Sequence, residues 1–379
     1  MMVLYGVIVG LMTAEYLIKS KRCNGIIKVP IYACEESSRF GHACIGSKYL
    51  NGDLTEDDFD NIVDKNDKSI TLRSAIEYAK SYLFEHIEDI QEVDKIFDEV
   101  DYSLEAHIEQ YDLLKQKSKK LFLFEKEIVG IITSIGSAVR VKYDVQGKLG
   151  HTGSTPMKKR RNAVDATSVI GCEIIKLGNK YEKKGLGRAS QIEINTPEHK
   201  GSFNQLSADA EGLIDFRLLG DNKPESVLKD FGKIVRKAGR KTRTKINTEI
   251  ISSGTPVTTS SSLNSGIASI CERLNVKHLF MPSYPGQDTG YIPAKNKTMI
   301  FIPSTGGSHN PAESTKPKYI ETATKIYTDF SENLLLEHIR DRLVIKSPDS
   351  HNHSLSKEHS QINLNTSLNK SIKERQTIF

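Results

Sequence analysis

The pattern of apolar and polar positions predicts an α/β protein. A helical pattern over residues 3–20 is almost wholly apolar at its start and predicts a buried helix. Residues 25–34 are rich in β-branched side chains and predict a buried strand, and residues 102–109 alternate as a second strand does. Acidic segments with helical period lie between them, over residues 55–99. A helix followed by a buried strand favours a mostly parallel sheet covered by helices.

The middle of the chain has the pattern of a separate α+β module. The predicted elements are strands at 128–134 and 139–145, a helix at 162–184, strands at 191–195 and 212–219, a helix at 223–239 and a strand at 245–252. The α/β pattern then returns, with a helix from Ser262, strands at 278–281 and 298–303 and a helix at 319–343. We therefore predict one discontinuous domain, residues 1–130 and 253–345, with the module 131–252 inserted into it.

Composition and charge narrow the function classes. Of 379 residues, 37% are hydrophobic, which is enough for a sizeable core, and a net charge of +5 from 53 basic and 48 acidic residues gives little reason to expect nucleic acid as a partner. Five cysteines without paired spacing argue against a disulfide scaffold or a zinc finger, and favour a reducing, cytoplasmic location. The apolar N-terminal stretch is too short to span a bilayer, so no membrane role is expected. Residues 346–379 lack periodicity and predict a disordered tail.

Acids and histidines lie near the ends of predicted strands, where active sites of open α/β sheets are found. Glu35 and Glu36 follow the first predicted strand, and His107 and His309 lie near the ends of two others. One glutamate could bind a cation while its neighbour acts as general base toward a metal-activated water. Imidazole and carboxylate together suit zinc, manganese or another first-row metal. Each residue alone is more typical of a solvated surface or a structural histidine, so only the constellation indicates a metal site.

Two further candidates lie in the inserted module. His151 is part of a Gly- and Pro-containing turn, HTGSTP, and could present a donor to a substrate oxyanion. Arg217, at the end of a predicted strand, could bind a carboxylate with its planar guanidinium, although a surface ion pair is the alternative. No glycine-rich phosphate loop follows a predicted strand, so nucleotide chemistry is not indicated.

These segments together resemble the amidase, hydantoinase/carbamoylase branch of the aminoacylase-like zinc peptidases, which includes N-carbamoyl-L-amino acid hydrolases and allantoate amidohydrolases. The similarity is carried by EESSRFG at 35–41, HIEQ at 107–110, HTGSTPM at 151–157, Asn204 followed by Arg217, and SHNPAE at 308–313. It extends over residues 3–341. It implies a catalytic α/β domain, with a mixed, mostly parallel sheet flanked by helices, and an inserted α+β lid that also forms a homodimer.

The resemblance also implies a role for each matching residue. Glu35 would be the general base, while Glu36, His107 and His309 would be metal ligands. His151 would reach across the dimer to stabilise the oxyanion. Asn204 and Arg217 would hold the carboxylate of a small-molecule substrate. The implied reaction is hydrolysis of a carbamoyl or ureido C–N bond, with two zinc or manganese ions per subunit in the family.

The sequence departs from the family pattern at metal-binding positions. Family members carry an H-x-D motif that supplies a metal-binding histidine, and this chain has no H-x-D. The family's metal-bridging Asp-Gly is Tyr5-Gly6 here, and its G-H-D is Gly286-Gln287-Asp288. A dinuclear site needs a shared anion to offset repulsion between two dications. We therefore expect at most one weakly held metal.

Three functional hypotheses follow. The first is a metal-dependent amidohydrolase of the carbamoylase or allantoate type, represented by an N-terminally truncated sequence that results from a wrongly assigned start or a decayed reading frame. The second is a catalytically inactive homologue that keeps the dimer and the carboxylate-binding groove. The third is a peptidase or aminoacylase of the wider clan, which the SRF and HIEQ motifs disfavour.

Overall fold

The structure is a computed structural model that describes residues 2–21, 25–86, 100–111, 113–120, 127–197, 203–306 and 310–345. The chain forms two compact units, Met1–Leu335 and Leu336–Phe379, and both sheets described below belong to the first. The predicted disordered tail, residues 346–379, lies outside the described residues, as does the segment 87–99.

The helices and longer strands alternate along much of the chain. In chain order they are α1 (Met2–Ser20), α2 (Ile45–Leu50), α3 (Leu72–His86), β1 (Tyr102–Ile108), α4 (Leu113–Lys120), β2 (Ile128–Ile135), β3 (Ser137–Gln146), β4 (Gly150–His151), α5 (Ala163–Lys183), β5 (Gly187–Asn195), β6 (Gln205–Leu206), β7 (Asp209–Leu218), α6 (Pro224–Thr242), β8 (Lys245–Ser253), β9 (Val257–Thr258), α7 (Ser261–Arg273), β10 (Lys277–Ser283), β11 (Asn296–Ile302) and α8 (Pro317–Ile345). Short 3₁₀ turns occupy Glu56–Asp60, Met157–Lys159 and Asp288–Gly290.

A mixed five-stranded sheet forms the centre of the first unit. Its order is β1-β11-β2-β10, with β9 paired to β2. The long ladders, β1 with β11 and β2 with β10, are parallel, whereas β2 pairs with β11 and β9 in an antiparallel direction. Strands β2 and β11 are nearly continuous buried apolar runs because helices and loops cover the sheet. Their side chains pack with α7 and α8 through residues such as Ile267 and Ile326.

A second, four-stranded antiparallel sheet is built from residues 137–253 alone. Its order is β5-β7-β3-β8, and α5 and α6 cover one of its faces. The alternation of apolar and polar residues along β3 and β7 explains this arrangement, because successive strand residues point to opposite faces. Val141, Tyr143, Ile214 and Phe216 enter the helix-covered core, whereas the other face carries mostly charged side chains. This sheet and its helices occupy residues 137–253, most of the stretch for which an inserted α+β module is predicted.

Most of the predicted strands and helices are confirmed, with shifted ends, but residues 25–34 are not a strand. They form an irregular segment without sheet pairing, and Ile26 is 88% exposed. A segment of branched apolar residues forms a strand only when a neighbouring strand offers free hydrogen-bonding groups. Instead, this segment packs beside α1, where Val29 lies 3.1 Å from the position that a Cβ on Gly10 would occupy. Glu35 and Glu36 therefore follow an irregular segment, not a strand end.

Helix α1 forms as predicted but is buried on one side only. Val9 and Leu17 are buried, and Gly6 lets the helix approach β1 so closely that a Cβ there would lie 2.3 Å from the Ala106 carbonyl oxygen. The opposite side exposes large apolar side chains, including Leu11 and Ile18. The prediction of full burial is wrong because the sequence is apolar all around the helix, and such a pattern cannot show which face packs.

The helices were also compared with the dimensions of a bilayer. In the part of the chain that the structure describes, none is both long enough and apolar enough to cross a membrane.

Candidate active site

The backbone around Glu35 is held against the start of α2. The amides of Cys44, Ile45 and Gly46 donate to the carbonyl oxygens of Glu35, Cys34 and Ala33, at 2.9, 3.2 and 3.1 Å. This approach requires a small residue at position 46, because a Cβ there would lie 3.1 Å from the Ala33 nitrogen. The irregular segment is therefore fixed by backbone pairing, and the Glu35 side chain has a defined position.

The SRF part of the glutamate motif has a structural role. Arg39 Nε donates to Asp64 Oδ2 at 2.8 Å, and the Arg39 guanidinium also lies over the Phe40 ring, 4.9 Å from its centroid. Phe40 is buried in a small apolar cluster with Phe59 and Leu72. These contacts anchor the loop immediately after the two glutamates.

Glu35 lies among other acids in a region that excludes water. Its side chain is 8% exposed, and its Oε2 atom has no hydrogen-bond partner among the described residues. Burial raises the pKa of Glu35 to about 8, and the negative charges of Glu36 and Asp288 contribute to the shift. Burial likewise raises the pKa of Asp288 and, together with the charge of Asp288, that of Glu105. Glu35, Glu36, Asp288 and Glu105 are here termed the acid cluster. The raised pKa values of Glu35, Asp288 and Glu105 favour protonation of these three carboxyl groups in the absence of a cation.

Hydrogen bonds to two elements, α2 and β1, fix the loop that carries Asp288. Ser47 of α2 donates to Asp288 Oδ1 at 2.5 Å, and the Thr289 amide donates to Glu105 Oε2 at 2.8 Å. The hydroxyls of Ser103 and Thr289 also hydrogen bond to each other. Strand β1 and helix α2 therefore hold this loop against the acid cluster.

His107 is oriented as a neutral imidazole with a free lone pair. It is 3% exposed, and its Nδ1 lies 2.7 Å from the Ile108 carbonyl oxygen, which assigns the proton to Nδ1. Burial lowers the pKa of His107. Nε2 is buried without a hydrogen-bond partner within the described ranges. A backbone-oriented histidine with an unused ring nitrogen is the form that binds a metal ion.

The donors present fit a metal ion in kind but not in number. The described residues contain no group of three or more His, Cys, Asp or Glu side chains placed to hold a metal, and His309 lies outside them. Zinc sites in proteins use three or four protein ligands. The described part of the chain therefore does not form a complete metal site.

His151 and Asn204 are brought together on the two-stranded ladder of β4 and β6. His151 pairs with Gln205 in this ladder, and Asn204 Nδ2 lies 3.3 Å from His151 Nε2. The amides of Gly153 and Ser154 donate to His151 Nδ1, at 3.1 and 3.3 Å. An imidazole that accepts at Nδ1 carries its proton on Nε2 when neutral. The exposed His151 ring thus lies beside the Asn204 amide, with its Nδ1 held by two backbone amides.

Arg217 shares an acid with a second arginine that sequence reasoning did not identify. Arg217 Nε donates to Asp215 Oδ2 at 2.6 Å, and Arg140 Nε, from the neighbouring strand β3, donates to Oδ1 at 3.0 Å. Asp215 therefore bridges two guanidinium groups on the helix-free face of the four-stranded sheet. The ion pair weighed for Arg217 is therefore present in the structure.

Both the sequence and the fold have counterparts among known proteins. Residues 3–333 match peptidase family M20/M25/M40. The chain belongs to this family. Among solved structures, an amidase of the hydantoinase/carbamoylase family from Burkholderia multivorans has a TM-score of 0.70 at 22% identity, covering 87% of this chain and 76% of the other. A putative amidohydrolase/peptidase from Burkholderia cenocepacia has a TM-score of 0.66, with the same identity and coverage. At this identity the likeness establishes the M20 fold, in which a lid domain accompanies the mixed sheet.

Curated M20 relatives are hydrolases of several kinds. An uncharacterized hydrolase of Haemophilus influenzae is 27% identical over 79% of this chain and 69% of its own length. A ureidoglycolate hydrolase of Arabidopsis thaliana is 24% identical over 85% and 67%. The allantoate amidohydrolase of Escherichia coli is 27% identical over 76% and 66%. The chain thus spans about two thirds of the length of these relatives.

Four functional candidates were missed from the sequence. Asp288 and Glu105 join Glu35 only through the fold, although Asp288 was visible in the altered GQD motif. Asp215 and Arg140 lie on adjacent strands, 75 residues apart, and their partnership depends on strand register. The spacing Asp-Phe-Arg at 215–217, which puts both charges on one strand face, is the signal that could have identified Asp215.

Proposed function

We propose that this M20 protein is an amidohydrolase for linear, non-peptide C–N bonds, acting on the carbamoyl or ureido group of a small carboxylic acid. The supporting observation is the acid cluster with buried Glu35, whose Oε2 accepts no hydrogen bond from the described residues. Relatives named N-carbamoyl-L-amino acid amidohydrolase and allantoate amidohydrolase support this bond class. We also propose a cytoplasmic homodimer with a catalytic domain of residues 1–130 and 253–345 and a lid of residues 131–252.

The side chains have separate tasks in this proposal. Glu35, when ionised, takes a proton from the attacking water, and its N-terminal neighbours hold it in place through backbone pairing. His151 donates from Nε2–H to the oxyanion of the tetrahedral intermediate. Asn204 and Arg217 bind the substrate carboxylate.

Metal dependence is part of the proposal but is weaker than in the family. Glu36, His107 and His309 remain the proposed ligands for zinc or manganese, of which we expect at most one, weakly held ion. A divalent cation supplies Lewis acidity to such hydrolases. Since the described residues do not assemble three ligands, we expect slow turnover.

One observation favours a second candidate, a catalytically inactive homologue that binds carboxylate ligands. The described residues contain no complete metal site, while the Asp215-bridged arginine pair and the His151–Asn204 pair are both formed. Such a protein would bind ureido acids without cleaving them.

Ammonia release tests both candidates. The full chain is incubated with Zn²⁺ or Mn²⁺ and with N-carbamoyl-L-amino acids, allantoate or ureidoglycolate, and is compared with Glu35→Gln. Glu193→Gln, at an exposed glutamate of β5, is the matched control. Slow release that is lost in Glu35→Gln and kept in Glu193→Gln supports the hydrolase. Release that Glu35→Gln retains contradicts it, and binding without release supports the inactive homologue.

A further inference from the structure

The helix-free face of the four-stranded sheet separates its charges along the strands. At the end distant from the five-stranded sheet, Lys142 lies 2.9 Å from Glu211 and 3.7 Å from Asp144, so its charge is compensated. At the near end, Arg140 and Arg217 share Asp215, and neither arginine forms an ion pair with another acid of the described residues. Two guanidinium groups with one carboxylate keep one uncompensated positive charge at this end.

The arginine end adjoins the loop that carries Asp288. Only Gly136 separates β2 from β3, and its amide donates to the Ser283 carbonyl oxygen at 2.7 Å, at the end of β10. Arg188, next to Arg217 on β5, lies over the Tyr284 ring, 3.8 Å from its centroid. The positive end of the sheet therefore borders the acid cluster's loop.

A lysine from α2 adds to this positive region. Lys48 Nζ lies 5.0 Å from the centroid of the Tyr291 ring. Burial lowers the pKa of Lys48, and the positive charge of Arg140 contributes to this shift. The groups that act in the opposite direction are the Cys44 thiol, which is buried, Asp53, which is exposed, and Asp288, which burial holds toward its neutral form. Lys48 therefore adds a second positive charge to the one left at the arginine end of the sheet.

We propose that Arg140 is a specificity-determining residue that binds a second carboxylate, so that the preferred ligand is a ureido dicarboxylic acid. This inference rests on the proposed function, in which Arg217 binds the first carboxylate. Each arginine contacts Asp215 through Nε, and the terminal nitrogens of the two forks can each meet a separate carboxylate. A monocarboxylate would leave one of the two positive charges without an anionic partner.

Two ligands of nearly equal size test the proposal. N-carbamoyl-L-aspartate and N-carbamoyl-L-asparagine differ by one negative charge, and isothermal titration calorimetry at neutral pH and low salt gives Kd for each. We expect the wild-type chain to bind the aspartate about tenfold more tightly, since charge-assisted hydrogen bonds contribute at least that factor. Arg140→Gln should reduce the ratio to about one without changing Kd for the asparagine.

Variants separate a specific contact from a change in folding or in overall charge. Lys142→Gln removes a positive charge from the same strand and should keep the wild-type ratio. Arg140→Lys keeps the charge without the fork and should retain part of the preference, which provides a second readout if Arg140→Gln does not fold. Equal affinities in the wild type, no binding of the aspartate, or a preference that survives both Arg140 substitutions would overturn the inference.

The same titrations distinguish this inference from the proposed hydrolysis. Preferential binding of the aspartate without ammonia release retains the role of Arg140 and rejects the hydrolase. Ammonia release from both ligands with equal kcat/KM retains the hydrolase and rejects the role of Arg140.

Discussion

Removing the titratable group at Glu35 should stabilise the protein at neutral and alkaline pH. Glu35 has a pKa raised from 4.5 to about 8 by burial and by neighbouring acids. Below pH 4.5 the carboxyl group is protonated in both the folded and the unfolded chain. Between pH 4.5 and 8 only the unfolded chain releases the proton, so the free energy of unfolding decreases as the pH rises. At about 1.4 kcal/mol per pH unit, the loss reaches about 5 kcal/mol at pH 8 and then stays constant.

Urea denaturation from pH 5 to pH 8.5, with a chelator present, measures this loss. A chelator is needed because a cation bound to the acid cluster would oppose the shift. Glu35→Gln should match the wild type near pH 5 and be more stable by several kcal/mol at pH 8, with a remaining slope from Asp288 and Glu105, whose pKa values are also raised. The exposed control Glu193→Gln should follow the wild type. If Glu35→Gln loses as much stability as the wild type between pH 5 and 8, the electrostatic account of the acid cluster is wrong.

Three other predictions concern the four-stranded sheet and the two-stranded ladder of β4 and β6. Gly187→Ala should lower the free energy of unfolding by at least about 2 kcal/mol, because the φ of Gly187 is +135° and a Cβ would lie 2.0 Å from the Arg217 carbonyl oxygen. Gly185→Ala, with a φ of +66° and open space around it, should lower it by only about 1 kcal/mol. Chemical denaturation of the two variants measures this difference. His151→Ala should lower kcat about 100-fold or more with an unchanged melting temperature, since the ring is exposed; an unchanged kcat would remove His151 from the mechanism. Asp215→Asn should raise KM for ureido acids by about tenfold or more, because Arg217 loses the charged acceptor that positions it. Steady-state kinetics measures KM, and an unchanged value would mean that Arg217 binds no substrate.

The strands and helices of the inserted module could be predicted because their periodicity matches their burial. Residues of β3 and β7 alternate between core and surface as the sequence alternates, and α5 and α6 begin and end close to the predicted residues. Residues 25–34 could not be assigned from composition, because whether branched residues pair depends on a neighbour that local sequence does not specify. The exposed side of α1 was hidden for a related reason, as the helix is apolar on every side.

For the candidate site too, the sequence identifies residues but not the contacts that their side chains make. The positions of Glu35, His151 and Asn204 were visible as motifs, and the structure gives each a defined environment. The raised pKa of Glu35 and the sharing of Asp215 by Arg140 and Arg217 depend on loops and strand register, which no local pattern specifies.

The interleaving of the two sheets along the chain has a consequence for biosynthesis. All strands of the four-stranded sheet lie within residues 137–253, so this half can collapse as soon as that stretch has left the ribosome. The other sheet cannot form until β10 and β11 have been synthesised, because β2 pairs with β10 about 150 residues downstream and β1 pairs with β11 about 190 residues downstream. Until β10 and β11 are synthesised, the unpaired apolar edges of β1 and β2 are exposed on the nascent chain. Slow translation or chaperone depletion should therefore cause aggregation through β1 and β2, while the four-stranded sheet stays protected from protease.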